Sequence, residues 1–225
     1  MESLQFIRTL QLMDSFFPVG AFAYSDGLET AAAGGRVHDA ASLGKWMEHF
    51  LEQVFVPCEG LALVKCMCAL KEDDLDTLYR VDEELTAIRP AAAVRAASTG
   101  IGKRLLSLYA SIYEGGRISW NRVALPHGNA AAAYAIVFSQ NGVEERDAAL
   151  AFGYNRLAGI VSAGLRLISI GQLQGQALLT KAIDRLPVAA DRILQMRDEP
   201  LRSFNPLLDI EQMNHQYVYS RLFRS

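Results

Sequence analysis

The sequence predicts an all-α protein built as one helical bundle. Three observations carry that expectation. Apolar residues recur at helical spacing through most of the chain, and no run alternates convincingly as a half-buried strand would. Hydrophobic residues make up 51% of the 225 residues and charged ones 21%, a core-forming balance. A chain of this length fits one large domain, 1–225, with roughly eight to ten helices of ordinary length.

The first segment breaks the helical rule. "SFFPVGAFAYSDGLE", Ser15 to Glu29, is rich in aromatic residues and keeps neither period. Ser25 or Asp26 is expected to cap a short helix carrying Leu28 and Glu29. The clearest amphipathic helix is "SLGKWMEHFLEQVF". Leu43, Trp46, Met47, Phe50, Leu51 and Val54 share a face, Ser42 is the expected N-cap and Pro57 the expected end. A second helix is expected over Glu59 to Leu70. A third follows Asp73 or Asp74, with Leu75, Leu78, Asp82 and Leu85 on successive turns, and stops before Pro90.

A long helix follows Pro90. Val94, Ser98, Ile101, Leu105, Leu108 and Ile112 form a narrow stripe that runs to a stop at Gly115-Gly116. Its small residues, Ala91 to Gly102, suit close approach by a neighbouring helix. "AAAAYAIVF" after Gly128 is apolar on all sides and should be buried, ending at Asn141-Gly142. From Val143 to Leu186 the pattern stays helical, with breaks expected near Gly153 and Gly171. "VAADRILQM" makes a short helix after Pro187, and "DEPLRSFNPLLD" reads as an irregular connection.

The formal net charge is −3 and no basic block stands out, so nothing argues for a polyanion-binding surface and no nucleic-acid partner is expected. The start has an acid at position 2 and no uninterrupted apolar run, so no secretory leader is expected. "LAGIVSAGLRLISIG" contains Arg166 and is too short to span a bilayer, so no membrane partner is expected. The three cysteines, Cys58, Cys66 and Cys68, are odd in number and close together, which argues for the cytoplasm and not for a disulfide framework.

Few constellations suggest chemistry. "STGIGKR" lacks the phosphate-loop spacing, with Ala97 and Arg104 where Gly and Ser or Thr are needed. Cys66 and Cys68, two apart on a helix, point about 200° away from each other and cannot chelate one ion. His38, His49, His127 and His215 form no i, i+3 or i+4 pair. The acids of "KEDDLD", "VDEEL" and "VEERD" read as solvated helix faces or first-turn acids. No catalytic residue, metal ligand or cofactor is assigned, and the chain is not expected to be an enzyme.

The two ends are the unusual parts. Phe16, Phe17, Phe22 and Tyr24 surround Pro18 and Gly20 at one end. At the other, "HQYVYSRLFRS" gathers Tyr217, Tyr219, Leu222 and Phe223 around Arg221 and Arg224. Aromatic and Arg residues are common interface anchors. Two accounts stand open: each end meets a partner, or each folds back to close the core.

These ends, with one internal stretch, resemble the urease accessory protein UreF family. "LQLMDSFFPVGAFAYSDGLE", Leu10 to Glu29, is similar to that family's opening. "HQYVYSRLFRS", His215 to Ser225, is similar to its closing motif, and "VSAGLRLISIGQLQGQ", Val161 to Gln176, to an internal one. "RAASTGIGKRLL" is a weaker match. Ala21, Ser169, Ile170 and Gln216 depart from the pattern, and Gln216 stands where a carboxylate is usual.

The resemblance implies an all-helical, two-fold dimeric chaperone with no chemistry of its own, acting in nickel delivery to apo-urease. Its implied partners are a UreD/UreH-type accessory protein and the GTPase UreG. It also implies that the ends, about 1–29 and about 209–225, bind the UreD-type partner. The residues then expected there are Phe16, Phe17, Pro18, Gly20, Phe22, Tyr24, Ser25, Glu29, His215, Tyr217, Tyr219, Arg221, Leu222 and Phe223. Three alternatives remain. The protein activates the GTPase through Arg221, Arg224 or Glu29, it holds nickel itself, or it is a helical adaptor unrelated to urease.

Overall fold

The computed structural model describes residues 2–113 and 124–224. The described residues form helices and connections and contain no strand. Helix α1, Ser3–Met13, was not anticipated. Its start is set by a reciprocal cap between Glu2 and Gln5, with the Glu2 N–H donating to Gln5 Oε1 at 2.9 Å. A short 3₁₀ turn, Ala21–Ala23, precedes α2, Leu28–Ala33.

Helix α3, Ala40–Lys71, runs through what the sequence suggested were two helices. Asp39 is its N-cap, not Ser42, which instead occupies the third helical position and closes the cap reciprocally. Pro57 does not end it. The segment Leu51–Gly60 widens to π geometry, and Pro57 sits within it. Proline has no N–H and would clash with the carbonyl four residues back in a regular helix. Widening the turn relieves that clash.

Helices α4, Leu75–Ala87, and α5, Ala92–Ile112, follow as Pro90 and the apolar stripes indicated. The expected Gly115-Gly116 stop lies outside the described residues. Helix α6, Ala130–Gln140, is the centre of the fold. Every residue from Ala131 to Phe138 is buried, so a segment with no polar face has none to present. It packs against α3, α4, α5 and α7. Its approach to α5 needs Gly102, where a Cβ would stand 2.2 Å from the Gly128 carbonyl oxygen.

Helix α7, Glu145–Leu167, passes Gly153 without a break. That glycine makes room for packing. A Cβ there would stand 3.0 Å from the Phe55 ring and 2.7 Å from Leu186. Phe55 thereby joins an aromatic column with Phe152 at 6.0 Å, which continues to Tyr134 at 5.1 Å. Helices α8, Gln172–Ile183, and α9, Leu186–Gln195, complete the outer layer, the former starting at Gly171 as expected. The connection after α9 is shorter than the sequence suggested, because α10, Pro206–Asn214, begins at the second proline of "DEPLRSFNPLLD".

One core collects buried residues from Leu12 near one end to Phe223 near the other. Asp82 also corrects the reading of its acidic run as solvated. It is wholly buried, and its carboxylate accepts the N–H groups of His127 (2.7 Å), Gly128 (2.9 Å) and Asn129 (2.8 Å). These are donors at and just before the start of α6, so a carboxylate from α4 satisfies them. By length and composition α3 is apolar enough to cross a membrane, yet 67% of its apolar window is buried inside the protein. That is the environment of a core helix.

Candidate functional site

The two ends of the chain meet. Glu29, in the first turn of α2, is 4% exposed. Its Oε2 lies 2.7 Å from His215 Nε2 and accepts the Phe223 N–H at 3.2 Å, while its Oε1 accepts the Leu222 N–H at 2.5 Å. The Ser25 hydroxyl accepts the Glu29 N–H at 3.3 Å, which fixes the start of α2. One residue further along the tail, the Arg224 N–H donates to the Ala23 carbonyl at 2.8 Å. A buried carboxylate is costly unless its lone pairs are filled, and here donors from the C-terminal tail fill them.

Arg166 stands between the two ends. Its guanidinium carbon lies 3.6 Å from the centre of the Phe22 ring and 4.1 Å from that of Phe223. Its Nη2 also donates to the Phe22 carbonyl at 3.1 Å. Partial burial lowers the Arg166 pKa, and the charge of Glu29 opposes that shift. The geometry is cation–π contact of one guanidinium with a ring from each end of the chain. Arg166 lies within the quoted internal motif, but its role was not visible there. A lone Arg in an apolar helix was the only signal.

The anticipated site residues separate into two groups. Phe16, Phe22, Tyr217, Tyr219 and Leu222 are exposed, at 91%, 61%, 77%, 105% and 60%. Pro18 and Arg221 are exposed as well. Phe17, Ser25, Glu29, His215 and Phe223 are buried, so they support a surface and do not form one. Tyr24 and Gly20 are intermediate, and Gly20 has φ 82°, a conformation that suits glycine. The fold-back account holds for Phe17 and Phe223, which close the core, while Phe16, Phe22, Tyr217 and Tyr219 face outward.

A second polar cluster, not anticipated, ties the N-terminal segment to the bundle. Arg156 of α7 donates to Asp26 Oδ2 at 2.5 Å and to Glu59 Oε2 at 2.8 Å, and Arg89 donates to Glu59 Oε1 at 2.9 Å. Burial acts against the charge of Arg156, but Glu59 and Asp26 more than offset it and its pKa stands above the ordinary value. Asp26 has φ 52°, and neither it nor Ser25 is the N-cap of α2 as the sequence suggested; Gly27 takes that place at φ 88°, with no side-chain cap bond. Two crevices of about 40 Å³ each are lined by Asp26, Glu59, Arg89 and Arg156. That is room on the order of one water, far below a substrate pocket.

Among the described residues, no group of three or more His, Cys, Asp or Glu is placed to hold a metal ion. Burial pushes the Cys58 thiol up to about 11 and raises Cys66 further. Neither is disposed to become a thiolate ligand.

Comparison with known proteins adds the family. The UreF family model matches residues 37–183, which leaves both ends outside the matched span. A urease accessory protein UreF of Microcystis aeruginosa is 34% identical over 226 residues, covering the whole of both chains. One from Methylobacillus flagellatus is 32% identical, over 100% of this chain and 99% of its own. One from Lachnoclostridium phytofermentans is 30% identical, over 97% and 98%. With a family model over its middle and relatives of this similarity over its full length, the chain belongs to the UreF family of urease accessory proteins.

Proposed function

We propose that this protein is a non-catalytic scaffold in urease maturation. In this reading it binds a UreD/UreH-type protein through its joined ends, recruits a UreG-type GTPase, and so assists nickel insertion into apo-urease. It works in the cytoplasm as a homodimer. The observation that carries the reading is the junction itself. Glu29 and Arg166 hold the tail against the N-terminal segment, and Phe22, Tyr217, Tyr219, Arg221 and Leu222 face outward there. Exposed aromatic and Arg side chains on a fixed backbone suit an interface, because little order is lost on binding.

Co-purification tests it. The wild-type chain should retain the UreD-type protein, and with it the UreG-type GTPase, while Tyr219→Ala and Arg221→Ala should lose them without unfolding. Retention of both partners by both variants would remove the tail from the interface.

One observation favours a second reading, in which the protein stimulates the GTPase. Arg221 is exposed, as an arginine supplied in trans would have to be. Glu29 drops out of that role because its oxygens are occupied by the tail. GTP hydrolysis by the partner in a single turnover, with wild-type protein and with Arg221→Ala, separates stimulation from scaffolding.

A further inference from the structure

We propose that Glu29 is a latch that makes the N-terminal segment and the C-terminal tail one cooperative unit, docked or released together. Its carboxylate faces three tail donors, namely His215 Nε2 and the Leu222 and Phe223 N–H groups. The unit is closed on its other side by Arg224 N–H to Ala23 O, and by Arg166 between the Phe22 and Phe223 rings.

Release of the tail alone would take three hydrogen-bond partners from the Glu29 carboxylate and the Phe223 ring from Arg166. Movement of the N-terminal segment alone would strand two backbone donors beside a vacated site. Partly satisfied buried polar networks are disfavoured, so the intermediate arrangements are the costly ones. The two complete states are then the populated ones, and local opening of such units is a general property of folded chains.

The latch also controls a surface. Phe22 and Leu222 are 61% and 60% exposed, one on each of the two segments that Glu29 joins, so the docked state fixes their relative placement. The latch belongs to the isolated chain and does not depend on which partner covers that face.

Amide hydrogen exchange on the full chain tests it with two changes made from opposite sides. Glu29→Gln places an amide group among the tail donors and should speed exchange at 222–224 by roughly 10-fold or more. Deletion of 221–225 leaves Glu29 untouched and should speed exchange across 23–29 by a similar factor. The amides of α6 should keep their protection in Glu29→Gln, while the deletion, which also takes Phe223 from the core, is read as the excess of exchange at 23–29 over that at α6. Faster exchange on only one side of the junction would overturn the latch, as would unchanged exchange. Loss of α6 protection in Glu29→Gln would also overturn it, by making Glu29 part of the global core.

Discussion

The Gln53 carbonyl accepts a hydrogen bond from Asn205 Nδ2 at 2.9 Å, across 152 positions of sequence. Pro57 stands four residues beyond Gln53 and has no N–H to offer it. The Pro57 carbonyl in turn accepts the Arg202 N–H at 3.0 Å. The connection between α9 and α10 therefore braces the π segment of α3 from outside. A proline that would break an isolated helix is held in a continuous one because another part of the chain supplies the missing donor.

Asn205→Ala should therefore destabilise the fold more than an ordinary loop change. Asn205 is 2% exposed, and the change removes its hydrogen bond to the Gln53 carbonyl. A cost of about 1 kcal/mol is expected. Thermal melts followed by circular dichroism should show a lower midpoint with the same helicity at low temperature. An unchanged midpoint would mean that water satisfies Gln53 instead.

Asp82 and Gly102 define a second weak point, at the start of α6. Asp82→Ala strips three backbone N–H groups of their acceptor, and a loss of about 3 kcal/mol or more is expected. Gly102→Ala drives a methyl group into the Gly128–Asn129 backbone on the other side of the same loop. Overpacking of that kind costs roughly 1–3 kcal/mol. Because both act on one loop, denaturant unfolding of the double variant should show less than additive loss.

The tail should divide into residues that fold and residues that bind. Phe223 is 4% exposed and part of the core, so Phe223→Ala should cost roughly 3–5 kcal/mol. Deleting Tyr217 to Ser225 should also lower the melting point, since it removes Phe223 and two donors to Glu29. Tyr219→Ala should leave the melt unchanged and weaken partner capture by about 2 kcal/mol or more if Tyr219 anchors the interface. Equal melts for Phe223→Ala and Tyr219→Ala would refute the division.

The thiols give a pH-dependent test. Burial favours the neutral thiol, so the Cys58 pKa rises from 9.0 to about 11 on folding. That contribution to stability is fully present below pH 9.0 and is lost as pH rises through about 11. Alkylation at pH 8 should modify half-buried Cys68 first and reach Cys58 and Cys66 only in denaturant. Cys58→Ser should flatten the fall in stability above pH 9. Rapid labelling of all three thiols in the folded protein would contradict their burial.

The sequence by itself determined the all-helical class and the main buried helices. Apolar spacing placed α4, α5 and the first half of α3, and the uniform apolarity of Ala130 to Phe138 marked the central helix. Those signals are local, since a helix shows its buried face in its own period. The end motifs also marked two segments that the structure brings into contact. Sequence spacing did not reveal what distant segments do for each other. Pro57 and Gly153 read as breaks, because the donor on Asn205 and the ring of Phe55 that accommodate them lie elsewhere in the chain. Asp82 read as a solvated acid and Glu29 as a partner-binding one, because a carboxylate looks the same in sequence whether it meets water, a partner or backbone N–H groups. Only the tertiary structure brought Glu29 to the tail and Arg166 between two rings, and that placement sorted the aromatic ends into those that fill the core and those that face outward.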